Sequence, residues 1–259
     1  RSYTLRDESN DLINTAIKML MDELQLPKID DMVVNYFKKD ASVQTFNVKL
    51  SDMEYRLDAS YHVPVVDAII DHLKKHAAEV TIVGDKRISK SVILPGRFKR
   101  VYVDERYGRV FFGGKQLLEL DPTNTKYLSV SQHDKRMKEE LELKENTILI
   151  TRSGTIGKTA LVPKHWVNWV ASEDIAGYLY IFLLSEYGAK LIERYAYGSV
   201  ISHIDDAHIR QIPVPILKNH DIQEKINSLA LEANKKRYEA YRLEQKALEV
   251  LDKEVIYAK

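Results

Sequence analysis

The chain has 259 residues, 44% apolar and 30% charged, and its 39 Lys and Arg nearly balance 38 Asp and Glu; that length supports one large domain, or a domain with an appendage, around a real core. With no cysteine, it excludes a disulfide scaffold, a thiol nucleophile and any cysteine-based zinc or iron–sulfur site, and a reducing cytoplasm is the expected compartment. The longest strongly apolar run, Tyr178–Leu184, is far below the ~20 residues that span a bilayer, and no charged-then-apolar signal pattern follows Arg1.

Residues 7–26 have helical spacing, with Leu12, Ile13, Ala16, Ile17, Leu20, Met21 and Leu24 on one face, Asp7 or Ser9 as the cap, and Pro27 as the stop. A polar connector runs to about Asn47. An amphipathic helix is expected over Val63–Lys75. Short β-rich runs follow at Val80–Val83, Val92–Leu94, Val101–Val103, Val110–Phe112, Thr147–Thr151 and Ala160–Val162, separated by Gly, Pro or charged clusters. Ile175–Leu184 reads as a buried strand and Ser185–Tyr195 as a helix. Ile212-Pro213-Val214-Pro215 forces an extended exit, because neither proline can donate to a ladder or continue a helix.

From Asp221 onward the chain reads as one long helix without Gly or Pro. Spacings of four and three link Ile222, Ile226, Leu229, Ala233, Lys236, Ala240, Leu243, Ala247, Val250 and Glu254, a coiled-coil seam rather than a broad core face. Such a helix, about 55 Å long, cannot bury its seam alone. Residues 7–26 are too short to cover it, so a partner chain is expected. The division expected is 1–47 as an N-terminal helix and connector, 48–217 as the main domain, and 218–259 as a spacer or dimerisation helix. The fold class is α+β.

Catalytic motifs fare poorly. Thr151–Thr159 ends in Gly157-Lys158-Thr159, the tail of a phosphate-binding loop. The glycine that pattern needs five residues earlier is Arg152, and Ala160-Leu161-Val162-Pro163 continues as β rather than opening a helix. The better reading is a glycine-flanked turn pushing Arg152, Ser153, Thr155 and Lys158 out of a sheet. Glu142-Leu143-Lys144, with Asp121 or Asp134 upstream, matches a metal-dependent nuclease only locally, in a charge-dense segment expected to be exposed. His203 and His208 could ligate a metal, but their stretch reads as a surface turn and short helix. No nucleophile elbow is present.

Binding chemistry remains. Residues 86–164 hold 17 Lys and Arg against 9 Asp and Glu, a net of +8, and the rest of the chain carries a net of −7. A basic middle between acidic flanks is the arrangement expected where one face meets a polyanion; the alternative is an unevenly charged solvated surface. The candidates are Lys99 and Arg100, a hairpin carrying Arg106, Arg109 and Lys115, the segment with Gln132, Lys135 and Arg136, and the turn with Arg152, Ser153, Thr155 and Lys158. Such side chains neutralise phosphates and read base edges.

In this order, Arg56–Tyr61, Val110–Leu117, Leu143–Lys158, Tyr197-Gly198-Ser199, Ile212–Ile216 and Gln223 resemble the specificity subunit of Type I restriction–modification enzymes. The resemblance spans about 170 residues plus the long helix. It implies a mixed α/β target-recognition domain that reads one half of a split site in double-stranded DNA, followed by a coiled-coil-forming helix that sets spacing and docks a methyltransferase subunit. It implies no catalytic residue, metal or cofactor in this chain. S-adenosylmethionine, ATP and magnesium would act on the methyltransferase and restriction subunits. One recognition domain is present, as in a half-length subunit that self-associates through its helix, or in one half of a two-domain subunit. A coiled-coil interaction module without specific DNA readout and a metal-dependent nuclease are the competing readings.

Overall fold

A computed structural model of the chain describes residues 1–33, 45–53, 56–94, 98–111, 116–117, 119, 125–166, 176–198 and 201–256. Helix α1 (Ser2–Glu23) runs beside α8 (His220–Leu251), and their contact is extensive. Ser9 Oγ donates to Ala233 O at 2.9 Å, Arg6 pairs with Glu244 at 2.5 Å and Lys236 with Glu8 at 2.6 Å. The sequence expectation is corrected in two respects. The helix begins at Ser2, and Ser9 is a buried contact rather than a cap. It is also long enough to cover much of the α8 seam within the chain. Ala16, Leu20 and Leu24 are buried along its inner face, and Gln25, at φ 50, turns the chain after its end.

Helix α2 (Ile29–Val33) is a short turn inside the expected connector. Helix α3 (Pro64–His76) starts with proline at its first position, where the missing N–H costs nothing. Strand β1 (Glu79–Ile82) pairs antiparallel with β7 (Pro213–Ile216). The segment Val92–Leu94 is not a strand; its Val92 carbonyl instead accepts from Arg210 at 2.6 Å.

The expected strand at Ile175–Leu184 is a helix, α5 (Ala176–Leu184), with every residue from Ala176 to Leu183 buried. A continuous apolar run fits either a central strand or a helix buried all round, and periodicity alone does not separate them. Here the surroundings decide. Asn227 of α8 presents Oδ1 to the N–H groups of Gly177 and Tyr178 at 2.8 and 3.1 Å, satisfying donors that a helix start leaves open. Ser185 then caps α6 (Glu186–Arg194) by accepting from Gly188 N. Tyr178 OH donates to Pro215 O at 2.6 Å, tying α5 to β7, and Tyr187 OH donates to Pro27 O, tying α6 to the end of α1.

One buried cluster joins α1, α3, α5, α6, β7 and α8, with Leu20, Ile69, Leu73, Tyr178, Phe182, Leu191 and Ile226 among its members. The N-terminal part of α8, from Ile222 to Leu231, is therefore part of this core. Gln223 Oε1 accepts from Leu217 N, and Asn234 Nδ2 donates to Val162 O at 2.9 Å and Asn146 Oδ1 at 3.0 Å. Of the expected seam, Ile226, Leu229, Ala233 and Ala240 are buried, Ile222 and Leu243 half-buried, and Ala247 and Val250 exposed.

Strands β2 (Tyr102–Val103), β3 (Gly108–Phe111) and β4 (Lys126–Ser129) form a small sheet in the order β2-β4-β3, joined by α4 (Val130–Arg136). Its buried Leu117, Leu128 and Met137 lie outside the main cluster. Strands β5 (Ile148–Ile150) and β6 (Thr159–Leu161) form a two-stranded hairpin, and α7 (Asp206–Arg210) is the short helix expected near His208. No helix among the described residues is long and apolar enough to cross a membrane.

Candidate nucleic-acid interface

The fold sorts the predicted binding residues into two groups. The first surrounds the β2-β4-β3 sheet. The expected Arg106–Lys115 hairpin is corrected: β4 sits between β2 and β3, Arg106 lies in a 3-10 turn before β3, and Arg109 lies within β3. Lys115 is outside the described residues. The register sets Tyr102, Leu128 and Arg109 side by side, and Phe111 opposite Lys126. Because side chains alternate along strands, these five share one sheet face. Lys126 lies 5.3 Å from the Tyr102 ring, Arg100 lies 5.1 Å from Phe111, and the two rings stand 6.4 Å apart.

Helix α4 is held against this sheet by His133, whose Nε2 accepts from Val101 N and whose ring meets Phe98 at 5.2 Å. Arg136 covers Phe98 at 4.8 Å and pairs with Glu140, and Arg109 pairs with Glu142 at 3.0 Å. Those carboxylates offset part of the charge. Lys99, Gln132 and Lys135 are exposed, and their side chains make no hydrogen bond or ion pair among the described residues. Tyr107, 65% exposed beneath Arg106, and Tyr102, 43% exposed, add aromatic surface between the cations. Cations interleaved with exposed rings can neutralise phosphates and contact bases.

The second group sits on the turn between β5 and β6. Thr151 closes it: its N–H donates to Lys158 O, its Oγ1 accepts from Lys158 N, and its carbonyl accepts from Gly157 N. Gly154 and Gly157 have φ of +77° and +80°, where a side chain would be strained. The turn is a structural one, joined to 202–204 by Gly154 N donating to Ser202 O and Ile204 N donating to Arg152 O. Ser153, Thr155 and Lys158 are exposed as expected. Arg152 is not pushed out: it is half-buried, with its Nε enclosed and without a hydrogen-bond partner.

Beside this turn is a set of rings, of which the sequence reading named only His203 and His208, as possible metal ligands. Ser153 Oγ and His203 Nδ1 are 2.8 Å apart. The His203 ring stands 6.0 Å from Tyr197, Tyr197 is 5.6 Å from His208, His208 is 5.6 Å from Tyr195, and Tyr195 is 5.9 Å from Tyr61. Arg56 and Arg194 lie 4.6 and 4.5 Å from the Tyr61 ring. Arg56 donates two 2.7 Å hydrogen bonds to Asp58, which hold that carboxyl below its ordinary pKa and raise that of Arg56. Segments some 140 residues apart thus meet at one place. Their sequence signals were that Arg56–Tyr61, Arg152–Lys158 and Tyr197 each belong to the ordered set carrying the family resemblance, and that His203 and His208 have the side chains of metal ligands.

Glu142 is largely enclosed against Arg109 rather than exposed, and Asp134 is bound to Lys138 at 2.8 Å. Among the described residues no group of three or more His, Asp or Glu is placed to hold a metal ion. In comparisons with known proteins, the chain matches no protein-family model and no curated protein.

Proposed function

We propose that this chain is a non-catalytic DNA-recognition subunit of a Type I restriction–modification system. It reads one half of a split site in duplex DNA and docks an adenine methyltransferase subunit. The observation that carries the reading is the β2-β4-β3 lobe, where Arg100, Tyr102, Phe111 and Lys126 are gathered on one sheet face and Lys99, Gln132 and Lys135 stand exposed nearby. Phosphate contacts by cations set register and orientation, and amide and guanidinium groups read base edges in the major groove. The family resemblance supplies the methyltransferase partner, which would use S-adenosylmethionine, and the restriction subunit that would use ATP and magnesium.

Self-association belongs to the same proposal. Leu248, Val250 and Leu251, at the far end of α8, are 53%, 51% and 45% exposed, and this end of the helix continues the seam that α1 covers further back. A twofold pair of such chains would read an inverted repeat, because protein symmetry is mirrored in the target.

The test is a methylome. The chain is co-expressed with a Type I methyltransferase subunit encoded beside it, in a host lacking adenine methylation. New methylation confined to one split, inverted-repeat sequence is the expected result. A stable complex without new methylation supports one half of a two-domain subunit. Failure to bind either the methyltransferase or DNA overturns the proposal and leaves the interaction-module reading.

A further inference from the structure

Residues 98–142 are fastened to themselves. Phe98, at the entry, meets the His133 ring at 5.2 Å and is covered by Arg136 at 4.8 Å. Val101 N donates to His133 Nε2 at 3.2 Å, and Val101 O accepts from Ser129 N at 2.9 Å. Arg109 of β3 pairs at 3.0 Å with Glu142, at the exit. Each of these contacts runs within the stretch, so its two ends are clasped to each other around the β2-β4-β3 sheet. Leu117, Leu128 and Met137 are buried in it and lie outside the main cluster. Among the described residues, that cluster reaches Val92 before the stretch and Ile148 after it, and takes no member between them. Polar anchors stand at the same two places: Arg210 holds the Val92 carbonyl, and Asn234 holds Asn146.

A stretch whose burial, hydrogen bonds and ion pairs are its own can lose them without breaking the main cluster. It is also small. A unit of about 45 residues is close to the roughly 40 below which a fold usually needs a disulfide or metal. We propose that residues 98–142 are a separate cooperative unit, which opens while the rest of the chain stays folded, and that bound duplex DNA holds it closed. The effect of DNA rests on the DNA-recognition reading; the separate unit rests on the packing alone. Pairing with β4 is what sets Tyr102 beside Arg109 and Phe111 opposite Lys126, so the open form lacks the face that gathers them. A duplex that takes this face binds the closed form only, and mass action suppresses opening by the factor 1 + [L]/Kd.

The test is native-state hydrogen exchange of the full chain, read by mass spectrometry at rising urea below the main unfolding transition. Peptides of β2, β3, β4 and α4 are expected to lose protection together, at lower urea than those of α1, α5, α6 and α8. Loss of protection in both sets along one urea curve overturns the separate unit. Leu128→Ala removes a side chain that is 1% exposed in β4. It is expected to speed exchange in the lobe by about thirtyfold or more and to change that of α1 and α8 by under about twofold. Equal acceleration in α1 and α8, or a variant unfolded throughout, overturns the separate unit as well. A mixed-sequence duplex is then added to the wild-type chain at about 100 times the Kd found by fluorescence anisotropy, and exchange in the lobe should slow about hundredfold. Slowing confined to peptides outside 98–142 overturns the coupling of DNA to the lobe and leaves the separate unit standing. No duplex binding by anisotropy overturns both the coupling and the DNA-recognition reading, and the urea and Leu128→Ala results still decide the separate unit.

Discussion

Among the described glycines, Gly188 has the least room for a side chain. A Cβ there would lie 2.2 Å from Phe182 O and 2.6 Å from Leu183 Cα, backbone atoms that cannot swing aside. The crowding follows from the tight passage of α5 into α6 through Ser185, which bonds both Phe182 O and Gly188 N. Gly188→Ala is therefore expected to destabilise by more than about 2 kcal/mol in chemical denaturation, the range of overpacked cores; a change under about 0.5 kcal/mol, typical of open surface sites, would contradict the close approach. Asn227 makes a second such demand. Replacing it with Ala leaves the Gly177 and Tyr178 N–H groups without their acceptor, and about 1–2 kcal/mol is expected, the cost of a lost helix cap. Acid sensitivity also has a residue-level source. Asp58 is held below its ordinary pKa in the fold by Arg56, so its contribution is full above the unfolded value and is lost as pH falls through the folded one. Removing the partner with Arg56→Met should flatten the acid limb of the stability curve below about pH 4 and leave its shape near pH 7 unchanged.

At the level of elements, the α1–α8 pair decides how the long helix is stabilised. Leu20 is fully buried between these helices and the core, so Leu20→Ala is expected to cost about 2–5 kcal/mol. The exposed end of α8 behaves differently. Leu248→Ser with Leu251→Ser should leave the melting temperature unchanged and lower self-association in sedimentation equilibrium; equal self-association in the variant would remove the end of α8 as the contact. This division explains what was legible in the sequence. The apolar face of α1, the α3 and α6 helices, most strands and the extended exit at Ile212–Pro215 could be read from local periodicity and from proline, because those signals act within a few residues. The helical state of Ala176–Leu184 could not, since the run is apolar all round and the acceptor for its first N–H groups, Asn227, lies some fifty positions away. The pairing of α1 with α8 was equally hidden, because it brings Ser9 to Ala233. For the site, clustered charges marked the basic lobe. The joining of His203, Tyr197, His208, Tyr195 and Tyr61 into one ladder was not legible, since it brings together segments some 140 residues apart.

For the whole molecule, the question is how charge is distributed between structure and ligand. Many of the basic side chains are already engaged: Arg109 with Glu142, Arg136 with Glu140, Lys138 with Asp134, Lys236 with Glu8. Exposed pairs of this kind contribute little to stability, but they lower the charge available to a polyanion. Among the described residues the side chains of Lys99 and Lys135 have no such partner. Each phosphate neutralised by the chain releases condensed counterions and contributes roughly −0.9 to the slope of log K against log salt. The intact chain should therefore show a clear negative slope on a mixed-sequence duplex. Lys99→Ala with Lys135→Ala should make that slope shallower by about two and weaken binding to all sequences alike, since phosphate contacts carry no base information. Thermal stability should not change, because neither side chain is engaged in the fold. A slope near zero in the intact chain would remove duplex DNA as the ligand. An unchanged slope in the double variant would exclude Lys99 and Lys135 as phosphate contacts and leave that role to the other exposed cations, Arg100 and Lys126 on the β2-β4-β3 lobe and Lys158 on the β5–β6 turn.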